Sequence, residues 1–261
     1  MAHMDAGRES ARGWFRPITK WSASVCAAGK QLRASLPLAC ALCRGPARGD
    51  RLCPACAEQV TGPMQANIPR CMRCCLALQS AAVCSDCAFH APAFDRIIAG
   101  FDYLAPADML IHYLKVQKQF TLAPLLAGLL AEAVRNAQPT LPHDAILVPV
   151  PASPASLVRR GFNPAAEIAR CLAKELGLAY RPALLRRSHD GLKQAQLARL
   201  ERVRSVKRLY ACTQKLDGAT IAVVDDVLTT GSTLNSIARE LRSAGAASVY
   251  GLVLARTPWQ R

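Results

Sequence analysis

The hydrophobic pattern changes character at about residue 93. Beyond it, short apolar runs alternate with longer segments whose apolar positions recur at helical spacing. Residues 145–150 (Ala-Ile-Leu-Val-Pro-Val) and 220–224 (Thr-Ile-Ala-Val-Val) are continuous apolar runs bounded by turn residues, as expected of strands buried on both faces of a parallel sheet. A further strand is expected over 248–255. Residues 122–136, 164–176 and 232–244 read as helices, the second closed by Gly177 in a C′ position and the third by Gly245. Strand, turn, helix and strand at this spacing form βαβ units, hence a mostly parallel sheet covered by helices, an α/β fold.

Before residue 93 no such alternation exists. Residues 38–92 are broken by Pro54, Gly62, Pro63, Pro69 and Pro92 and carry most of the cysteines. Residues 1–37 are basic, and 21–36 can form one amphipathic helix. The expected organisation is therefore a basic segment (1–37), a cysteine-rich module (38–92) and an α/β domain (93–261).

Composition adds two things. The formal charge of +15 favours polyanionic partners, nucleic acid or phosphate-rich small molecules, without bearing on the fold. The twelve cysteines would suit a disulfide framework in an exported protein, but the first 35 residues carry no convincing export signal. No apolar stretch of about 20 residues suggests a membrane span. Reduced, metal-bound thiols in a cytoplasm are the better expectation.

Cys40, Cys43, Cys53 and Cys56 have the spacing C-x2-C-x9-C-x2-C, and Cys71, Cys74, Cys84 and Cys87 repeat it 31 residues later. Each Cys-x-x-Cys can present two thiolates to one ion, and two pairs complete a closed tetrahedral zinc site, structural because no coordination position stays open. About two zinc ions per chain would supply folding energy that so small a core cannot. The spacing leaves sequential and interleaved pairing open, and Cys75 competes as a ligand. A redox Cys-x-x-Cys would need a flanking strand and helix that these pairs lack. Cys26, Cys171 and Cys212 read as ordinary cysteines.

The strand at 220–224 delivers Asp225 and Asp226 at its carboxyl end, where ligands of open α/β sheets sit. Thr229, Thr230, Gly231, Ser232 and Thr233 then run into a helix, so backbone N–H groups, hydroxyls and the helix N-terminus can hold a phosphate. Two carboxylates beside an anion site make sense if a ribose lies between, its hydroxyls on the acids and its 5′-phosphate on the loop, with magnesium bridging to a diphosphate. The Gly-Lys-Ser/Thr ending of a Walker loop is absent.

This stretch resembles the phosphoribosyl-diphosphate (PRPP) signature of type I phosphoribosyltransferases. From about Cys40 to Arg256 the chain is similar to the ComF family of competence-associated proteins, through Ile111-His-Tyr-Leu-Lys115, Pro149-Val-Pro151, Arg160-Gly-Phe-Asn163, Gln194, Leu197, Arg199, Glu201-Arg202, the PRPP loop and the cysteine repeat. The resemblance implies a type I phosphoribosyltransferase fold behind a double zinc ribbon, PRPP with magnesium as ligand, and a role in DNA uptake and the handling of single-stranded DNA, alongside other competence proteins. It implies a diphosphate loop over 149–160, with Arg159 or Arg160 reaching the leaving group, and a mobile basic loop within 181–210, with Lys193, Arg199 and Arg202 as contacts and Lys115 as a further one. The sequence departs from the family where Ala155 and Ser156 replace a basic pair, where Gly191 and Lys193 replace Thr and Pro, and where Ser205 replaces Asn. Asp226 serves as general base only by carry-over, and His112 is either functional or plain packing. The competing expectation is an active PRPP-dependent transferase unrelated to DNA.

Overall fold

The computed structural model describes residues 37–49, 52–66, 68–78, 83–187 and 209–258. The expected N-terminal helix and three of the basic contacts, Lys193, Arg199 and Arg202, lie outside them.

The cysteine-rich region opens with an antiparallel pair, β1 (Pro37–Ala39) and β2 (Pro46–Arg48), followed by helices α1 (Pro54–Gln65) and α2 (Ser85–Phe89). The α/β part follows as β3 (Arg96–Asp102), α3 (Ala107–Lys115), α4 (Ala123–Asn136), β4 (Ile146–Pro149), α5 (Pro154–Arg160), α6 (Pro164–Leu176), β5 (Ala179–Tyr180), β6 (Leu185–Arg187), β7 (Tyr210–Cys212), β8 (Thr220–Leu228), α7 (Ser232–Ser243) and β9 (Ser248–Arg256). Five strands form one sheet in the order β3-β9-β8-β4-β5, every neighbour parallel. β6 and β7 form a separate antiparallel pair.

Local chemistry explains where the helices begin and end. Asn163 accepts a hydrogen bond from the Ala165 N–H at 3.1 Å with Pro164 in the first turn, and Gly177 closes α6 in the left-handed region at φ 70. Ser153 caps α5 in the same way, accepting from the Ser156 N–H at 3.2 Å. α5 is a difference from expectation: more than half of the stretch read as a diphosphate loop is helical. The strands differ too. β3 and β5 were not foreseen, and β8 runs through the two aspartates to Leu228, because pairing with β9 continues at Asp225↔Val253, Val227↔Ala255 and Leu228↔Arg256.

Residues alternate between the two sheet faces. Ile98, Ala222, Val224, Leu252 and Leu254 pack with α4 and α6, while Ile97, Ala99, Val223 and Val253 pack with α7. The two cysteine modules divide between these faces. Cys40, Leu52, Cys56 and Val60 join the first cluster; Cys71, Cys74, Cys84 and Cys87 join the second. Together they straddle the sheet at its β3 edge, where the Ile97 N–H donates to the Arg73 carbonyl at 2.7 Å. Among the described residues no helix is long and apolar enough to cross a membrane.

Candidate functional site

Strand order locates the crevice. From β4 the chain leaves through α5 and α6 towards β5 on one side, and from β8 it leaves through α7 towards β9 on the other. The connections after β4 and β8 part, opening a crevice at the strands' carboxyl ends, where doubly wound sheets bind ligands. Asp225, Asp226 and residues 229–233 stand on the β8 side. Arg159, exposed, and Arg160, half-buried, sit in the last turn of α5 on the β4 side.

The two aspartates have different surroundings. Asp226 is paired with Lys115, Nζ to Oδ1 at 2.7 Å, so the lysine foreseen as a ligand contact lies against the acid in this structure. Burial, then the neighbouring Asp226 charge, pushes the Asp225 carboxyl up to about 7, against the Asp226 N–H that it accepts at 2.9 Å and the Lys115 charge. Asp225 is thus an acid poised to exchange its proton near neutrality.

Beyond β8 the chain turns at Gly231, whose φ of 79 an L side chain would strain, and enters α7. No side chain caps the first residue of α7 from the Gly231 position. The Thr230 hydroxyl donates to the Ser232 hydroxyl at 3.1 Å and accepts from the Ser232 N–H at 3.4 Å, which tightens the turn. The helix dipole and the first-turn N–H groups there suit an anion.

Two neighbours escaped the sequence reading. Tyr210, buried on β7, interacts with the Thr233 hydroxyl and lies close enough to Asp225 for the charges to interact; burial raises its phenol. The Arg187 guanidinium lies 5.9 Å from the Tyr210 ring centre, and its buried Nε has no hydrogen-bond partner among the described residues. The β6–β7 pair thus stands beside Asp225 and Thr233. Nothing in the sequence singled out Arg187 or Tyr210 from the surrounding basic run.

The cysteines group sequentially: Cys40, Cys43, Cys53 and Cys56 in one set, Cys71, Cys74, Cys84 and Cys87 in the other, each with its sulfurs within 4.8 Å of one another. Both sets are built alike. A tight turn carries the first pair, with Arg44 and Cys75 in the left-handed region at φ 62 and φ 60. The second pair opens a helix, and the Cys53 and Cys84 N–H groups donate to the Cys40 and Cys71 sulfurs at 3.4 Å. Cys75 occupies the turn position that Arg44 fills in the other set, so it is no member of either group.

These groups fit zinc. Tetrahedral Zn–S bonds of about 2.3 Å place sulfurs about 3.8 Å apart, and Cys43–Cys53 and Cys74–Cys84 are each separated by 3.6 Å. The ionisation pattern agrees. Burial opposes ionisation of Cys40 and Cys71, but backbone N–H donors outweigh it and bring them to about 6 and about 7. Burial and neighbouring sulfurs push Cys56 to about 12 and Cys74 to about 11, and raise Cys87 further. Four adjacent thiols ionise together only around a cation.

The Phosphoribosyl transferase domain family matches residues 155–260. The chain is 32% identical over 228 residues to the DNA utilization protein YhgH of Salmonella typhi, covering 85% of this chain and 99% of that protein. It is 31% identical over 225 residues to Competence protein F of Haemophilus influenzae, covering 83% and 96%. Competence protein ComFC of Bacillus subtilis matches at 35% over 113 residues, 43% of this chain and 45% of that protein. Similarity that runs the length of both the cysteine modules and the sheet makes this chain a member of the ComF family, built on a type I phosphoribosyltransferase fold.

Proposed function

We propose that this protein binds PRPP with magnesium and acts in DNA uptake, on incoming single-stranded DNA. The observation that carries the PRPP reading is the crevice between β4 and β8, with paired carboxylates and an uncapped helix N-terminus on one wall. In this reading Asp225 and Asp226 accept the ribose hydroxyls. Thr229, Thr230, Gly231, Ser232 and Thr233 hold the 5′-phosphate, and Arg159, Arg160 and Arg187 face the diphosphate. Lys193, Arg199 and Arg202 are the further basic contacts to it in this reading. The acids and hydroxyls are hard oxygen donors of the kind magnesium takes, and the ion supplies charge neutralisation to the diphosphate when bound. Lys115 holds Asp226 in place through their ion pair. Two zinc ions, one in each four-cysteine group, are structural, and the boundary between the modules and the α/β domain falls near residue 92.

The DNA role rests on the relatives, which are named for DNA utilisation and competence, and on the charge of +15 with nine Lys or Arg against two acids over residues 181–210. Ala155 and Ser156, where a basic pair is expected, favour binding over turnover.

Calorimetric titration with PRPP and magnesium tests the site. Wild type should bind, and Asp225→Ala with Asp226→Ala should abolish binding; unchanged affinity in the double variant defeats the proposal. Retention of single-stranded DNA should weaken steeply with salt. Release of diphosphate on adding a nucleobase or amine, with no DNA retention, would instead establish a metabolic transferase.

A further inference from the structure

Arg256 ends β9 and is 7% exposed, the one buried charged side chain among the described residues. No carboxylate pairs with it there. Its guanidinium donates instead to four main-chain carbonyls: Nε to Cys74 at 3.0 Å, and Nη1 to Leu228 at 3.1 Å, Thr229 at 2.7 Å and Thr257 at 2.8 Å. A guanidinium out of water persists only where its donors are met, so the side chain and these carbonyls hold one another in place.

The acceptors lie on two structures. Cys74 belongs to the second four-cysteine group, and Leu228 and Thr229 lead into the turn at Gly231. The carbonyl and N–H of a trans peptide point in opposite directions. With the Leu228 and Thr229 carbonyls turned to Arg256, the Thr229 and Thr230 N–H groups are turned away from it. A cavity of about 520 Å³ borders the same region, lined by Cys74 and Cys87 on one side and Thr229, Thr230 and Ser232 on the other. Arg256 therefore spans a gap rather than filling a core.

We propose that Arg256 is a positioning residue that orients the phosphate loop's N–H groups, and that through it the second metal site sets PRPP affinity. This rests on the PRPP reading above. Metal holds the Cys71–Cys74 turn, the turn holds the Cys74 carbonyl, and Arg256 carries that position to the peptides at 228–229. Coupling of this kind is reciprocal, so PRPP must in turn tighten the second metal site and leave the first alone.

The test uses the zinc-loaded full chain. Alkylation of cysteines, resolved by mass spectrometry in the presence of a chelator, reads both metal sites in one sample. In wild type, PRPP with magnesium should slow alkylation of Cys71, Cys74, Cys84 and Cys87 severalfold and leave Cys40, Cys43, Cys53 and Cys56 unchanged. Arg256→Met should lose that selective protection and bind PRPP about tenfold more weakly, about 1.4 kcal/mol, and Arg256→Lys should recover part of both. Equal protection of both sites in wild type overturns the proposal, as does wild-type PRPP affinity in Arg256→Met with zinc retained. If wild type binds no PRPP, the PRPP reading is what fails. The strut is then judged by amide hydrogen exchange over residues 229–232, which must accelerate in Arg256→Met; exchange as in wild type overturns it.

Discussion

Asp225 gives a measurable pH dependence of stability. Its carboxyl is raised from the ordinary 3.8 to about 7 by burial and by the Asp226 charge. The folded protein therefore holds a proton there that the unfolded chain releases near pH 4. Between about pH 4 and pH 7 the native state binds more protons, so this group's contribution to stability falls as pH rises through that window and levels off above 7. At about 1.4 kcal/mol per pKa unit the ceiling is about 4 kcal/mol. Asp225 is only partly buried in the structure, solvent screens the carboxylate, and about 2 kcal/mol is the expectation. Asp225→Asn keeps an oxygen to accept the Asp226 N–H and carries no charge to desolvate. Urea unfolding of zinc-saturated wild type and variant between pH 5 and pH 8 isolates the effect of Asp225 and its immediate neighbours, since titrating groups distant from it cancel in the difference. The variant should be more stable by about 2 kcal/mol at pH 8, with the gap closing towards pH 5. A difference that stays flat across that range refutes the assignment.

Lys115→Met should leave Asp226 without its cation, lowering stability by about 1–2 kcal/mol in urea unfolding and weakening PRPP binding by calorimetry; wild-type values for both would contradict a role for the pair. Cys75→Ser should keep about two zinc by elemental analysis, whereas Cys84→Ser should lose one and lower the unfolding midpoint; a Cys75→Ser protein short of zinc would contradict the grouping. Leu130→Ala removes a fully buried side chain between α4 and the sheet and should cost about 3 kcal/mol in chemical unfolding, without changing zinc content.

Much of this arrangement is legible in the chain because local signals and tertiary demands agree. The run 145–150 is apolar because β4 is covered on both sides, and Gly177 stops α6 by adopting the left-handed conformation that glycine takes without strain. The aspartate pair and the hydroxyl loop are recognisable because the chemistry needs those residue types in that order. Other parts depend on partners distant in sequence. β3 is apolar yet stands directly behind the cysteine module, and only its pairing with β9 reveals it as a strand. The extension of β8 through Asp225 and Asp226 goes against the poor strand propensity of aspartate, and β9 imposes it. Arg256 offers no pattern at all: an arginine after an apolar run reads as a strand end meeting solvent, and its burial follows from four carbonyls that converge only in the folded chain.

The Arg73 carbonyl that accepts from the Ile97 N–H has a consequence for the life of the protein in a metal-poor cell. β3 is the border of the sheet, and its Ile-Ile-Ala-Gly-Phe run would invite pairing with another chain if left bare. The second cysteine module shields it by backbone bonding as well as by packing. Loss of a metal ion from that module would turn a blocked border into an adhesive one, so zinc starvation should appear as clumping of otherwise folded molecules together with weakened ligand binding.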